Sequence, residues 1–162
     1  MRRNHAGDAP DTMGLRTRPA TIADAAAIVV IYNHGIADRI ATFETEPRAA
    51  IDIVEWFTGQ HLVVVAETGE AGPVAFAASF PYINRPCYRG IGEFYVRRDY
   101  RGRGAGSTVL AALIKAATAA GLHKLTSRVF SGERGQPRPS ERPRFRGNRD
   151  SSAAWAIGWP LA

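Results

Sequence analysis

The chain has 162 residues, 45% hydrophobic and 22% charged, the balance of one folded domain rather than a disordered or collagen-like chain. No apolar run nears the ~20 residues that cross a bilayer. The single cysteine, Cys87, excludes an internal disulfide and a cysteine-based metal cluster. Residues 1–11 read without the apolar stretch of a secretory signal, so a cytoplasmic protein is expected. Lys and Arg number 21 against 15 Asp and Glu, a net charge of +6. Such a balance suits an anionic ligand without separating a nucleotide cofactor from nucleic acid.

Residues 1–14 read as a disordered extension. Residues 15–130 read as a compact body. A short strand is expected over 15–18. A helix follows, capped by Thr21 or Asp24, with Ile22, Ala25, Ala26, Val29, Val30 and Tyr32 on a broad apolar face and Gly35 as its stop. A second helix is expected over 49–57, entered after Pro47 and ended by Gly59. The run Leu62, Val63, Val64, Val65 predicts a buried strand over 61–67. Residues 70–73 read as a turn, and 74–82 and 91–96 as strands. Val109, Leu110, Leu113, Ile114 and Ala117 have helical spacing over 106–120, with Gly121 as stop. Residues 122–130 return as a strand. The order β-α-α-β-β-β-α-β predicts an α/β (α+β) fold with a mixed, mostly antiparallel sheet flanked by helices.

Residues 131–162 differ. They carry six arginines (Arg134, Arg138, Arg142, Arg144, Arg146, Arg149) in a Pro/Arg string, with no helical or strand periodicity before Ala153.

The sharpest signal lies between the strand ending at Val96 and the helix beginning near Gly106. Glycines at 102, 104 and 106 let backbone N–H groups approach a ligand, and the helix N-terminus adds its positive dipole end. Arg101 and Arg103 add charge, and together these make a pyrophosphate site. A Walker loop is excluded because no Gly-Lys-Ser/Thr is present. A dinucleotide fingerprint is excluded because Ser107 or Val109 stands where its third glycine is needed. On spacing alone, a turn with solvated arginines remains open.

Arg101-x-x-Gly104-x-Gly106 resembles the acetyl-CoA loop of the GNAT N-acetyltransferases. Arg18-Pro19-Ala20, Ile31-Tyr32-Asn33, the run from Ala41 to Arg48, Tyr82-x-x-Arg85-Pro86-x-Tyr88 and Gly104-x-Gly106-Ser107 resemble, in order, the phosphinothricin/arsinothricin type. The resemblance implies a GNAT-type sheet and transfer of the acetyl group of acetyl-CoA to the primary amine of a small amino-acid-like substrate: phosphinothricin, methionine sulfoximine or arsinothricin. It implies Glu93 as the base that takes the amine proton. The residue-level alternative for Glu93 is an ion pair with Arg85 or Arg97. The family has two more residues between this glutamate and the Tyr-Val pair, so Glu93 keeps its face but moves ~6–7 Å along the strand. The resemblance implies cofactor contacts from Tyr95, Val96, Arg97, Arg101, Gly102, Arg103, Gly104, Ala105, Gly106 and Ser107. Backbone N–H groups near Tyr95 and Val96 would polarise the thioester carbonyl, where a bulge splays the strands. It implies an acceptor pocket of Phe43, Tyr82, Arg85 and Tyr88, whose arginine fork suits a carboxylate or phosphinate. For the aromatics, plain core packing is the alternative. No metal and no membrane partner is expected; a homodimer is common among such relatives.

Two other functions compete. One is acetylation of a protein or peptide amine. The other is nucleic-acid binding through the Arg-rich tail, which lacks the signatures of known modules. The tail is also where the resemblance stops. The family pattern continues with Pro-Glu-Asn, then Ala-Ser and Leu-Gly-Phe. Read from the second base of the Ser131 codon, synonymous codons can be chosen that encode that pattern. A frameshifted tail would leave the domain incomplete at its C-terminus, with an uncovered apolar face and an open sheet edge, and would impair its stability and activity.

Overall fold

The computed structural model describes residues 14–39, 44–59, 61–81, 88–122, 124–130, 146–148 and 154–160. At residues 81, 88–93, 124, 126–130, 146–148 and 154–160 the description covers the backbone alone. Strand β1 (Arg16–Pro19) leads through a 3-10 turn, Ile22–Asp24, into helix α1 (Ala25–Asp38). Asp24 accepts the Thr21 backbone N–H at 2.8 Å and grips both Arg18 Nη atoms at 2.8 Å. Arg18 also donates to Glu67 from Nε at 3.0 Å, tying β1 to β2. The guanidinium of Arg18 holds the Asp24 carboxyl below the usual carboxylate range.

Helix α2 (Ala50–Val54) continues as a 3-10 turn, Glu55–Phe57. Strands β2 (Leu62–Thr68), β3 (Gly72–Pro81) and β4 (Tyr88–Val96) follow, then helix α3 (Ala105–Ala119), β5 (Lys124–Phe130), β6 (Arg146–Asn148) and β7 (Ala154–Pro160). The sheet runs β1-β2-β3-β4-β5-β7-β6. Every neighbouring pair is antiparallel except β4 and β5, which are parallel and linked through α3.

The two-residue period of the strands divides the core. Val63, Val65, Phe76, Ala78 and Tyr95 face α1 and α2, meeting Ile28, Ile31, Tyr32, Ile53 and Trp56. Val64, Ala66, Ala75 and Ala77 face α3, meeting Val109, Leu113, Ala117 and Leu125. Both faces are covered, so β2 and β3 are apolar almost throughout. Full burial of a side chain such as Phe76, Ile28 or Leu113 stabilises by about 1.5–3 kcal/mol.

Three expectations are corrected. Gly35 does not stop α1, which runs on to Asp38. Its missing Cβ is a close approach: a carbon added there would collide with the Tyr95 ring. Strand β4 starts at Tyr88 rather than at 91, because Tyr88–Gly90 pairs with β5. The sheet does not end at β5: β7 pairs with it from Lys124↔Pro160 to Phe130↔Ala154, so the open edge expected there is occupied.

Candidate active site

Strand β4 has two unlike flanks. Toward β3 it pairs from Val96↔Ala75 to Arg89↔Pro81. The register slips by one residue between Glu93↔Ala78 and Ile91↔Ser79, which makes Gly92 the extra residue of a bulge on β4. Toward β5 the pairing covers only Tyr88–Ile91, opposite Lys124–Ser127. Beyond that point β5 stays with β7, while β4 continues to Val96 with no strand on that flank among the described residues. A gap therefore opens between two parallel strands.

The Arg97 N–H donates to Val74 O at 2.8 Å, toward β3. Backbone groups alternate along a strand, so the N–H groups of Phe94 and Val96 face the gap. The Val96 carbonyl also lies on that side, where it accepts Arg101 Nε at 3.1 Å. Tyr95 is turned the other way. Its ring is 4% exposed and packs 4.9 Å from the Tyr32 centroid and 5.7 Å from that of Phe76. Of the pair expected to serve the cofactor, Val96 lines the gap and Tyr95 belongs to the core beneath α1.

At the end of β4 the chain forms a 3-10 turn, Arg98–Tyr100, and enters α3 through two left-handed glycines. Gly102 has φ 73° and Gly104, the N-cap, φ 85°. The Thr108 N–H reaches back to Gly104 O at 3.0 Å. The N–H groups of Ala105, Gly106 and Ser107 thus precede any intrahelical acceptor and point out of the helix end. Gly106 brings this end close to β4: a Cβ there would stand 3.3 Å from Val96 Cγ2. The donors lie at the mouth of the gap.

Arg97 makes two bonds to Asp99, at 2.7 and 2.8 Å, and covers the Tyr100 ring. Arg103 also lies over Tyr100, 5.8 Å from its centroid. Arg98 and Arg101 both reach back to Asp38, the last residue of α1, each at 2.5 Å. These guanidiniums hold the Asp38 carboxyl at about 2.

Across the sheet, Asn33 exchanges two hydrogen bonds with the backbone of Arg48, both at 2.9 Å. Arg48 binds Glu44 from Nε at 3.0 Å and Nη2 at 2.5 Å, and lies over the Tyr32 ring. The two sequence segments singled out here, 31–33 and 41–48, are thus locked together at residues 32–33 and 44–48. Phe43, Tyr82, Arg85 and Cys87 lie outside the described residues. Tyr88 and Glu93 are placed by backbone alone, Tyr88 at the start of the β4–β5 pairing and Glu93 directly after the bulge. Asp38 had no role in the sequence reading. Its signal is an acid in the last turn of a helix, where the dipole disfavours negative charge.

The Acetyltransferase (GNAT) family profile matches residues 30–135, which include the gap, the glycine loop and α3. The chain belongs to the GNAT acetyltransferase family. It is an acyltransferase with acetyl-CoA as cosubstrate. YwnH of Bacillus subtilis (strain 168), provisionally named a phosphinothricin acetyltransferase, is 33% identical over 118 residues, 70% of this chain and 72% of that protein. The L-methionine sulfoximine/L-methionine sulfone acetyltransferase of Pseudomonas paraeruginosa is 33% identical over 129 residues, 74% of this chain and 73% of that protein. The fold is shared with the phosphinothricin acetyltransferase of Sinorhizobium meliloti solved in complex with AcCoA, at TM-score 0.71 and 22% identity over 92% of this chain and 89% of that one. Among the described residues of this acetyltransferase, no helix is long and apolar enough to cross a membrane, and no group of three or more His, Cys, Asp and Glu could hold a metal.

Proposed function

We propose that the enzyme transfers the acetyl group of acetyl-CoA to the primary amine of a small amino-acid-like substrate of the phosphinothricin, methionine sulfoximine or arsinothricin type. The observation that carries this reading is the parting of β4 from β5 beyond Ile91, with a glycine loop and helix N-terminus at its mouth. The loop fits a diphosphate: its glycines adopt conformations open to no other residue without strain, and successive N–H donors converge there. Gly102 to Ser107 would hold the diphosphate through backbone donors, with Arg101 and Arg103 supplying positive charge. The Val96 N–H would bind in the gap. Acetyl-CoA, when bound, supplies an acetyl group activated as a thioester.

Glu93 accepts the proton of the incoming ammonium, directly or through water. Arg85 binds the acceptor's carboxylate or phosphinate with its two-pronged donor face, and Phe43, Tyr82 and Tyr88 wall the acceptor pocket. The enzyme works in the cytoplasm, as a homodimer. The test is thiol release from acetyl-CoA across an amine panel including phosphinothricin and methionine sulfoximine. Selective turnover of these two is expected; turnover of peptide amines alone would overturn the reading.

We further propose that residues 131–162 are a shifted reading of the family's C-terminal half-domain. The family profile match closes at residue 135, near the point where the Pro/Arg string begins. The coding DNA decides it: a second frame encoding Asn, then Leu-Gly-Phe, is expected after the Phe130 codon. Its absence would make the Arg-rich segment a genuine element.

A further inference from the structure

Arg101 directly precedes the glycine loop that would hold the diphosphate, yet two of its donors are committed. Nη1 goes to Asp38 Oδ2 at 2.5 Å and Nε to Val96 O at 3.1 Å. Arg98 takes the other Asp38 oxygen with Nη2 at 2.5 Å and reaches Oδ2 with Nε at 3.2 Å. One carboxylate thus holds two guanidiniums that arrive from 60 and 63 residues further along the chain. Asp38 is only 22% exposed.

This placement is costly to the helix itself. Asp38 ends α1, where carbonyl dipoles repel a carboxylate. The next residue, Arg39, turns left-handed at φ 53°, a conformation that costs a non-glycine residue about 1–2 kcal/mol. The cost is offset by what Asp38 does for the loop. Four arginines, Arg97, Arg98, Arg101 and Arg103, crowd the stretch from β4 to α3. Asp99 answers Arg97; Asp38 answers the next two.

We propose that Asp38 is a positioning residue for the donor's diphosphate: from the end of α1 it latches Arg98 and Arg101, and so sets the loop in its binding shape before the ligand arrives. The proposal rests on the reading that the diphosphate sits in this loop. A preset loop does not have to be ordered at the moment of binding, so its benefit is read as affinity. The same latch couples α1, which carries Tyr32 and Asn33 on the acceptor side, to the donor side.

The experiment is calorimetric titration of the full chain with CoA and, separately, with pantetheine, which lacks the diphosphate. The parent is expected to bind CoA far more tightly than pantetheine. Asp38→Asn is expected to weaken CoA about tenfold, equivalent to about 1.4 kcal/mol, and to leave pantetheine unchanged. Asp38→Glu is expected to recover part of the loss. Equal CoA affinity in parent and Asp38→Asn overturns the latch, as do equal losses for both ligands. A parent that does not prefer CoA over pantetheine overturns the diphosphate reading instead. Arg98→Gln removes one of the two ion pairs and carries the test if Asp38→Asn does not fold: a CoA-selective loss is expected, and none overturns the latch.

Discussion

The two flanks of β4 use the same backbone for opposite ends. On the β3 side every register position from Arg89 to Val96 except the bulge residue has a partner. The ring of Tyr95 closes that region against Tyr32 and Phe76. On the β5 side four pairs form and then cease, leaving amide donors at Phe94 and Val96 facing a gap. A strand normally spends both sets of amides on its neighbours. Here one set is withheld, and stability has to come from the other flank and from the packing above and below it. A sealed flank and an open one are thereby separated across a single strand.

That separation can be broken deliberately. Glu93→Gln, on the residue directly after the bulge, is expected to slow acetyl transfer ~10²–10⁴-fold while the urea midpoint stays where it was. Phe76→Ala, on the sealed flank, is expected to cost about 3–5 kcal/mol of stability with turnover per folded molecule retained. Urea titration paired with a thiol-release assay reads both. Loss of stability in the first variant, or of turnover in the second, would show that the flanks are not independent.

A smaller effect lies at the gap's mouth. Gly104→Val places a β-branched residue at φ 85°, where L-residues are strained by ~1–2 kcal/mol. A modest fall in melting temperature and a much larger fall in acetyl-CoA affinity are expected. Affinity equal to the parent's would remove the loop from the donor site.

The smallest effect sharpens the comparison by pH. The Asp38 carboxyl is held at about 2 by Arg98 and Arg101. A carboxylate depressed in the folded state stabilises above its unfolded value of about 3.9, and that contribution disappears as pH falls through about 2. Partial exposure limits it to about 0.5–1 kcal/mol. Asp38→Asn should therefore be less stable than the parent at pH 6, with the difference closing toward pH 2. A difference independent of pH would assign the loss to packing.

The helical period of Val109, Leu113 and Ala117 and the apolar run from Leu62 to Val65 made α3 and β2 legible, because burial imposes those patterns locally. The glycine loop was legible for a related reason: only glycine takes the left-handed turns at 102 and 104. Gly35 misled because its role is set by the Tyr95 ring, sixty residues away, and a glycine that permits close approach looks like one that ends a helix. Ala154–Pro160 alternates too weakly to announce β7, which is a strand by virtue of the β5 edge it meets. The glycine loop and the helix it opens could be read in the sequence. The latch that holds it could not, since nothing local to Asp38 names Arg98 and Arg101 as partners.

The packing of Trp56 has an optical consequence. The indole is 6% exposed, 6.1 Å from Tyr32, 6.0 Å from Phe76 and 5.2 Å from Phe80 by ring centroids. Tyrosine so close to tryptophan passes its excitation on rather than emitting it, and a shielded indole emits at shorter wavelength than a wet one. With Trp155 and Trp159 replaced by phenylalanine, the remaining emission would come from the junction of α1, α2 and β3. A red shift accompanied by returning tyrosine fluorescence would then mark the moment at which that junction opens, whatever the rest of the chain is doing.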